Sequence, residues 1–313
     1  MHLRQRFAAL RALSIAAIGI ASSASAETIT VCLDGSCDFT SPVAAVEAAL
    51  EGDTIEIAAG TYLLSSPISL YGKDLVIRGR VDASGRPATV LNGQNSTYHI
   101  NALQQTAATV IENLVLTNGR STQNGAIYMF GCSGTTFRNC SVRGNQAGAI
   151  GLNGSSVTMI GCEIVDNAAG PGTSAGGGIW VAGTVSLIDC VVSGNSASFS
   201  GGGIYLPNGS AANLTNTRVC GNSAPNSAQI GQSPSGIVND LGGACVMSSC
   251  DDCPTSPACP ADLDGNGFVN GADLGNLLAA WGPCQGCAAD MNDDGFVSGI
   301  DLGVLLGAWG ACQ

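Results

Sequence analysis

The sequence holds one lysine, Lys73, and two histidines, His2 and His99, among 313 residues. Charged side chains make up 11% of it and aromatics 5%. So little basic charge excludes a nucleic-acid binder, whose phosphate contacts need clustered Lys and Arg. The low charge content also excludes a coiled coil and a charge-rich disordered chain. With so little histidine, mechanisms that pair a His with a nucleophile have almost nothing to draw on. The single apolar run that resembles a membrane segment is N-terminal, and at Ala12–Ala21 it is too short to span a bilayer.

That run has the build of a secretory leader. Arg4, Arg6 and Arg11 precede or flank it, and Ala24-Ser25-Ala26 forms a small-x-small cleavage site. Cleavage is expected before Glu27, giving a secreted or cell-surface protein with no membrane span in the mature chain. Losing residues 1–26 removes three Arg, leaving 287 residues with eight basic and 23 acidic side chains and a formal charge of −15. All 14 Cys remain, an even number that favours disulfides in an exported chain.

What the chain has in plenty is glycine, 44 residues, and repetition. Four copies of one unit lie within residues 125–224. Each opens on small residues and Ile: Gly125-Ala126-Ile127, Gly148-Ala149-Ile150, Gly177-Gly178-Ile179 and Gly202-Gly203-Ile204. Each closes at Asn145, Asn167, Asn195 or Asn222, spaced 22, 28 and 27 residues apart. Eight residues before those Asn stand Phe137, Met159, Leu187 and Leu214. Five before stand Cys140, Cys162, Cys190 and Thr217. Three before stand Val142, Ile164, Val192 and Val219. The i, i+2 pair at −5 and −3 is strand periodicity. Ile111, Leu114, Leu116 and Gly119 fit as a weaker preceding copy. Helices are excluded by the several Gly per unit, the β-branched residues and apolar runs of three to five positions.

Short strands turning at Gly and Asn, one rung per unit, define a mainly β fold: a parallel β-helix solenoid over residues 27–245. Like residues then stack about 4.8 Å apart. The apolar columns fill the interior, the three Cys form an inward column, and the closing Asn form a hydrogen-bonded ladder at a turn of left-handed backbone. Pro42–Leu50 is expected as a short helix with Ser41 as N-cap, Pro42 at N1 and Gly52 after its end. Such a helix would cover the open end of the first rung. The stretch GDTIEIAAGTY at 52–62, the small-small-Ile starts and the Asn-Ser-Ala ends resemble right-handed parallel β-helix proteins of the pectin-lyase-like superfamily. That resemblance implies fold more than activity, since such folds host lyases, hydrolases, esterases and adhesins.

A Ser/Pro/Cys/Asp linker is expected over 246–258, then a duplicated module over 259–313 with a 28-residue offset. One copy places Asp262, Asp264, Asn266, Phe268, Asn270 and Asp273 at loop positions 1, 3, 5, 7, 9 and 12. The other places Asp290, Asn292, Asp294, Phe296, Ser298 and Asp301 there. Gly267 and Gly295 hold position 6. Oxygen ligands around a Gly turn at this spacing suit calcium, about one ion per loop and two in all; position 7 would contribute its backbone carbonyl. A short helix follows each loop, with Leu274, Leu277, Leu278, Trp281 and Leu302, Leu305, Leu306, Trp309 as its apolar set. Two loop-plus-one-helix units resemble a type I dockerin, bounded here by Cys. The resemblance implies docking to a cohesin-like receptor module. Positions 10 and 11, where dockerins often carry hydroxyl residues, hold Gly271-Ala272 and Gly299-Ile300. Pseudo-twofold symmetry predicts disulfides Cys259–Cys312 and Cys284–Cys287. Zinc at Cys250-x2-Cys253 and Cys284-x2-Cys287 is the alternative use of those thiols.

Within the solenoid, acid–base chemistry has few candidates: Glu163, Asp166 and Asp189, with Arg138 and Arg143, on three successive rungs. The outward position after each rung's Ile is more pointed. It holds Tyr128, Gly151, Trp180 and Tyr205, with Met129, Leu152, Val181 and Leu206 turned inward. Three aromatics in one exterior column would stack on sugar rings, making polysaccharide the expected ligand. Two functions follow. One is a non-catalytic exported β-helix presented through its calcium module and binding glycan. The other is a polysaccharide lyase or glycoside hydrolase delivered by the same module.

Overall fold

A computed structural model of the chain describes residues 26–120, 125–146, 148–169, 175–253, 260–264, 268–284, 286–292 and 294–311. It forms two compact units, Met1–Cys250 and Asp251–Gln313. Of the leader expected over residues 1–26, residues 1–25 lie outside the described residues.

The first unit is a parallel β-solenoid with three faces. A 14-stranded sheet folds into two of them. The first face runs from Thr28–Val31 to Ile237–Asp240, and the third from Ile68–Ser69 to Ile230–Gln232. Ile150–Ile160 and Ile179–Ile188 are long enough to bend across both. An eight-stranded sheet from Gly60–Leu63 to Cys245–Met247 makes the second face and sets about eight turns. The last strand extends the solenoid past residue 245, into the expected linker.

Register matches the repeat. Phe137, Met159, Leu187 and Leu214 pair in succession on the first face. Val142, Ile164, Val192 and Val219 do so on the second. Ile127, Ile150, Ile179 and Ile204 do so on the third. All of these are buried. Alternation puts every second side chain inside, and parallel register stacks each column on itself. Cys140, Cys162 and Cys190 are buried free thiols in that interior, joined by Cys132.

The Asn ladder is continuous. Asn145 donates from Nδ2 to Asn167 Oδ1 at 2.8 Å, Asn167 to Asn195 at 2.9 Å, and Asn195 to Asn222 at 3.0 Å. Gln229 Oε1 accepts from Asn222 at 2.8 Å and ends the run. Each Oδ1 also takes the backbone N–H of the rung before, as Gly119 N to Asn145 at 2.6 Å. The expected left-handed turn is present, and the structure fixes its place. The ladder Asn are not themselves left-handed; the residue before each one is, at Gly144, Asp166, Gly194 and Gly221, with φ between 56° and 66°. The chain turns one residue early, so that the Asn side chain points inward, where it reaches its neighbour.

The N-terminal helix, α1, spans Pro42–Ala48. Ser41 Oγ accepts from Ala44 N, and Pro42, Ala45 and Val46 are buried against the first rung. It ends short of the expected Leu50, where Ala49 turns extended, and Lys73 satisfies the exposed carbonyls of the end: its ammonium donates to Val46 O at 2.6 Å and Ala49 O at 3.0 Å. The sole lysine is thus a helix cap. Cys32–Cys37 ties the first strand to the following turn, and Cys220–Cys250 ties the last.

In the second unit, helices α2 (Gly271–Ala279) and α3 (Gly299–Gly307) each follow one loop. Phe268–Val269 pairs antiparallel with Gly310–Ala311, and Gly282–Pro283 with Phe296–Val297. Each loop therefore pairs with the end of the other copy, the expected pseudo-twofold. The core is small: Ala261, Val269, Leu277, Ala289, Val297 and Leu305. Leu278, Trp281, Leu306 and Trp309 are exposed, unlike the apolar set the sequence suggested. Neighbours on a helix lie about 100° apart, so Leu277 and Leu278 cannot share one face. No helix among the described residues is long and apolar enough to cross a membrane.

Candidate functional sites

The aromatic column forms as expected. Tyr128, Gly151, Trp180 and Tyr205 are in register on the outer side of the third face. All three aromatics are half-buried, with one rung's gap at Gly151. Tyr205 Oη lies 3.4 Å from Ser233 Oγ. The patch is larger than the sequence suggested. Phe130 follows Tyr128 by two positions on the same strand and is 46% exposed. Tyr71 is 69% exposed. Tyr98 sits near enough to Tyr71 and Tyr128 that, after burial, their charges raise its phenol pKa. Four of the five tyrosines thus gather around one face. Tyr71 and Tyr98 precede the clear repeat, so no motif spacing gives their register.

His99 is buried, with Nε2 2.9 Å from Thr117 O. Burial lowers its pKa from 6.5 to about 4, which makes it a neutral structural side chain. The acid–base candidates separate. Glu163 and Arg143 line one cleft of about 390 Å³ at the corner of the first and second faces, beneath the hairpin 80–88. Arg138, Asp166 and Asp189 are not among its lining residues. Burial raises the Asp189 carboxyl, and Asn216 donates to it at 2.7 Å.

In the second unit, ligand atoms of Asp262, Asp264 and Asp273 lie within 4.8 Å of one another. Ligands on one calcium at 2.3–2.6 Å can be no farther apart than about 5 Å, so this donor set fits the ion. Asp273 also accepts from Leu263 N at 2.8 Å and Asn270 N at 2.8 Å, tying the loop to the start of α2. In the second loop Asp301 does the same for Met291 N and Ser298 N, at 2.9 and 2.8 Å. Burial opposes its ionisation, but those N–H donors outweigh it and hold the carboxyl below the usual value. Asp290 accepts from Gly295 N at 2.8 Å, and Asn292 donates to Asp294 at 2.8 Å. Ser298 caps α3 through Ile300 N, as Asn270 caps α2 through Ala272 N. Phe268 and Phe296 occupy position 7 on short strands. Asn266 and Gly267 lie outside the described residues. Cys284 is bonded to Cys287, and Cys250 to Cys220, which removes both zinc sets. Cys259 and Cys312 lie outside the described residues.

The family model described as right handed beta helix region matches residues 83–252, and the chain belongs to that family. Among solved structures it is similar to a pectin methylesterase from carrot, at 17% identity over 73% of this chain and 89% of that one, with a TM-score of 0.43. A pectin methylesterase from Aspergillus niger is similar at 13% identity over 74% and 88%, with a TM-score of 0.42. No curated protein matches the sequence significantly.

Proposed function

We propose that this is an exported β-helix protein that binds polysaccharide on the third face of its solenoid and is presented through its calcium-dependent, dockerin-like module. The observation that carries the reading is the in-register column Tyr128, Trp180, Tyr205, widened by Tyr71, Tyr98 and Phe130. Aromatic faces half in water supply flat apolar area for sugar rings at little entropic cost, because the solenoid already holds them. Successive rungs are about 4.8 Å apart, which aligns a glycan chain along the solenoid axis. The module's two loops would hold about two calcium ions through Asp262, Asp264, Asp273, Asp290, Asp294 and Asp301. Its resemblance to dockerins makes a cohesin-like module the partner.

Affinity electrophoresis through polysaccharide gels tests the glycan reading. Trp180→Ala should lose retention by severalfold while keeping the wild-type melting temperature. Equal retention on every glycan that slows the wild type would refute it. The second reading, a lyase or hydrolase, draws on the meeting of Glu163 and Arg143 in one cleft. It requires the release of unsaturated or reducing ends from a polysaccharide panel.

A further inference from the structure

Charge is segregated around the solenoid. The outer side of the first face alternates Glu56, Arg78, Glu112 and Arg138 in register. That of the second face carries Arg143, Glu163 and Arg218. The third face has none. Its strands and their flanks, residues 65–71, 97–105, 125–132, 148–154, 176–182, 201–209 and 228–236, hold no Asp, Glu, Lys or Arg. The chain as a whole has 11 basic and 23 acidic residues and a formal charge of −12. His99, on this face, is buried and neutral. The aromatic patch therefore lies on the one face that carries no charge.

What surrounds the rings is uncharged and able to hydrogen-bond. Ser69 and Asn101 precede Tyr128 in its own outward column. In the next outward column, Asn153 follows Leu103 and Phe130. Asn101 and Asn153 are half-buried, and their side-chain amides have no hydrogen-bond partner among the described residues. Each amide offers two donors and a carbonyl acceptor. Gly151 is buried beneath its neighbours, so the file has no pit where a ring is missing. Parallel register stacks each rung on the last, so rings and amides run in straight files along the solenoid axis.

We propose that the third face takes a neutral, extended glycan, a ribbon of uncharged pyranose rings laid along the solenoid axis. The inference rests on the glycan reading above and narrows it to one ligand class. A uronate ring stacked here would lose water from its carboxylate and find no cation in return. The net negative field of the chain would repel an acidic polymer further. A neutral ring loses nothing of this kind: its apolar face meets the aromatic rings and its hydroxyls meet the free amides. The straightness of the files selects the chain's shape. An extended ribbon keeps ring after ring over successive rungs, whereas a coiled glycan leaves the file after a sugar or two.

Affinity electrophoresis and titration calorimetry of the intact chain test it. The probes are glucomannan and cellohexaose as neutral extended glycans, dextran as a neutral coiled one, and polygalacturonate and alginate as acidic ones. Glucomannan and cellohexaose should bind saturably, and equally at low and high salt. The acidic polymers should bind at least about tenfold more weakly, a gap of about 1.4 kcal/mol. Asn153→Ala should weaken cellohexaose severalfold at an unchanged melting temperature. Asn101→Arg, which sets a cation beside Tyr128, should raise affinity for polygalacturonate by about tenfold and make it salt-sensitive. Acidic polymers bound as tightly as neutral ones by the wild type, with retention lost in Trp180→Ala, would overturn the neutral ligand and leave the glycan reading standing. So would an Asn101→Arg variant with no gain for polygalacturonate. Dextran bound as tightly as glucomannan would overturn the extended chain. If no glycan binds at all, the glycan reading and this inference fall together.

Discussion

Asn167 concentrates the energetics of the repeat in one side chain. Its Oδ1 accepts from Asn145 N and Nδ2, and its Nδ2 donates to Val142 O, Val165 O and Asn195 Oδ1. The side chain is buried, so water cannot replace those partners. Asn167→Leu would strand donors and acceptors on both adjoining rungs. A loss of about 3–5 kcal/mol is expected in denaturant unfolding of the solenoid. A loss below about 1 kcal/mol would show that the ladder is decorative. His99 makes a prediction of a different kind. Its folded pKa of about 4 lies below its ordinary 6.5, so the unfolded chain takes up the proton first as pH falls. The contribution is therefore full above about pH 6.5, declines as pH drops toward 4, and levels off below. It amounts to about 3 kcal/mol. Melting temperatures from pH 7.5 to 4.5 should fall less steeply in His99→Gln than in wild type. Parallel slopes, or a His99 resonance titrating near 6.5, would contradict this.

At the scale of elements, the two ends of the solenoid differ. The N-terminal end is covered by α1, and the sole lysine closes that helix. The C-terminal end shows apolar residues of its final strands, with Val238 and Val246 exposed although they continue the inward columns of Ala212 and Val219. Cys220–Cys250 closes a 30-residue separation across these last strands. A loop of that size is worth about 3–4 kcal/mol in the chain-entropy account. The double variant Cys220→Ser/Cys250→Ser should speed amide exchange over residues 230–247 while leaving rungs before 200 protected. Uniform exchange across all rungs would mean that the bond does not act locally. The repeat made the strands and their register legible from residue 125 onward, because each rung reuses the same pattern. Earlier rungs were less legible. Their loops vary in length, so Tyr71 and Tyr98 reach the aromatic face through stacking that no spacing announces.

For the whole molecule, two units with separate cores imply two melting events. The solenoid's interior is one continuous apolar stack, whereas the second unit's core has six buried apolar residues with seven others partly buried against them. A core that small does not hold about 55 residues without help. The carboxylates of Asp262, Asp264 and Asp273 sit within 4.8 Å, where they repel unless a cation intervenes. Calcium bound there would supply folding free energy. Calorimetry of the full chain should show a lower transition that rises with calcium and collapses with chelator, about two ions bound, and an upper transition indifferent to both. A lower transition unmoved by chelator would remove calcium from the account.

Composition and period, by themselves, determined the class of fold: short strands, a stacked interior, and an Asn and a Cys column at known offsets. They did so because parallel stacking makes each rung a copy of the last, so local pattern and tertiary contact carry the same information. The loop spacing likewise determined that a short helix follows each loop, because position 12 of the loop is also in the first turn of that helix. Tertiary structure alone decided the rest. It placed the left-handed turn one residue before the ladder, sent Leu278 and Trp281 outward, and made Lys73 a cap for a helix about 24–27 residues earlier in the chain. It also brought Arg86 beside Arg143 and Glu163 in one cleft. Those residues meet because the hairpin 80–88 folds over the corner, and no period in the sequence encodes the distance between them.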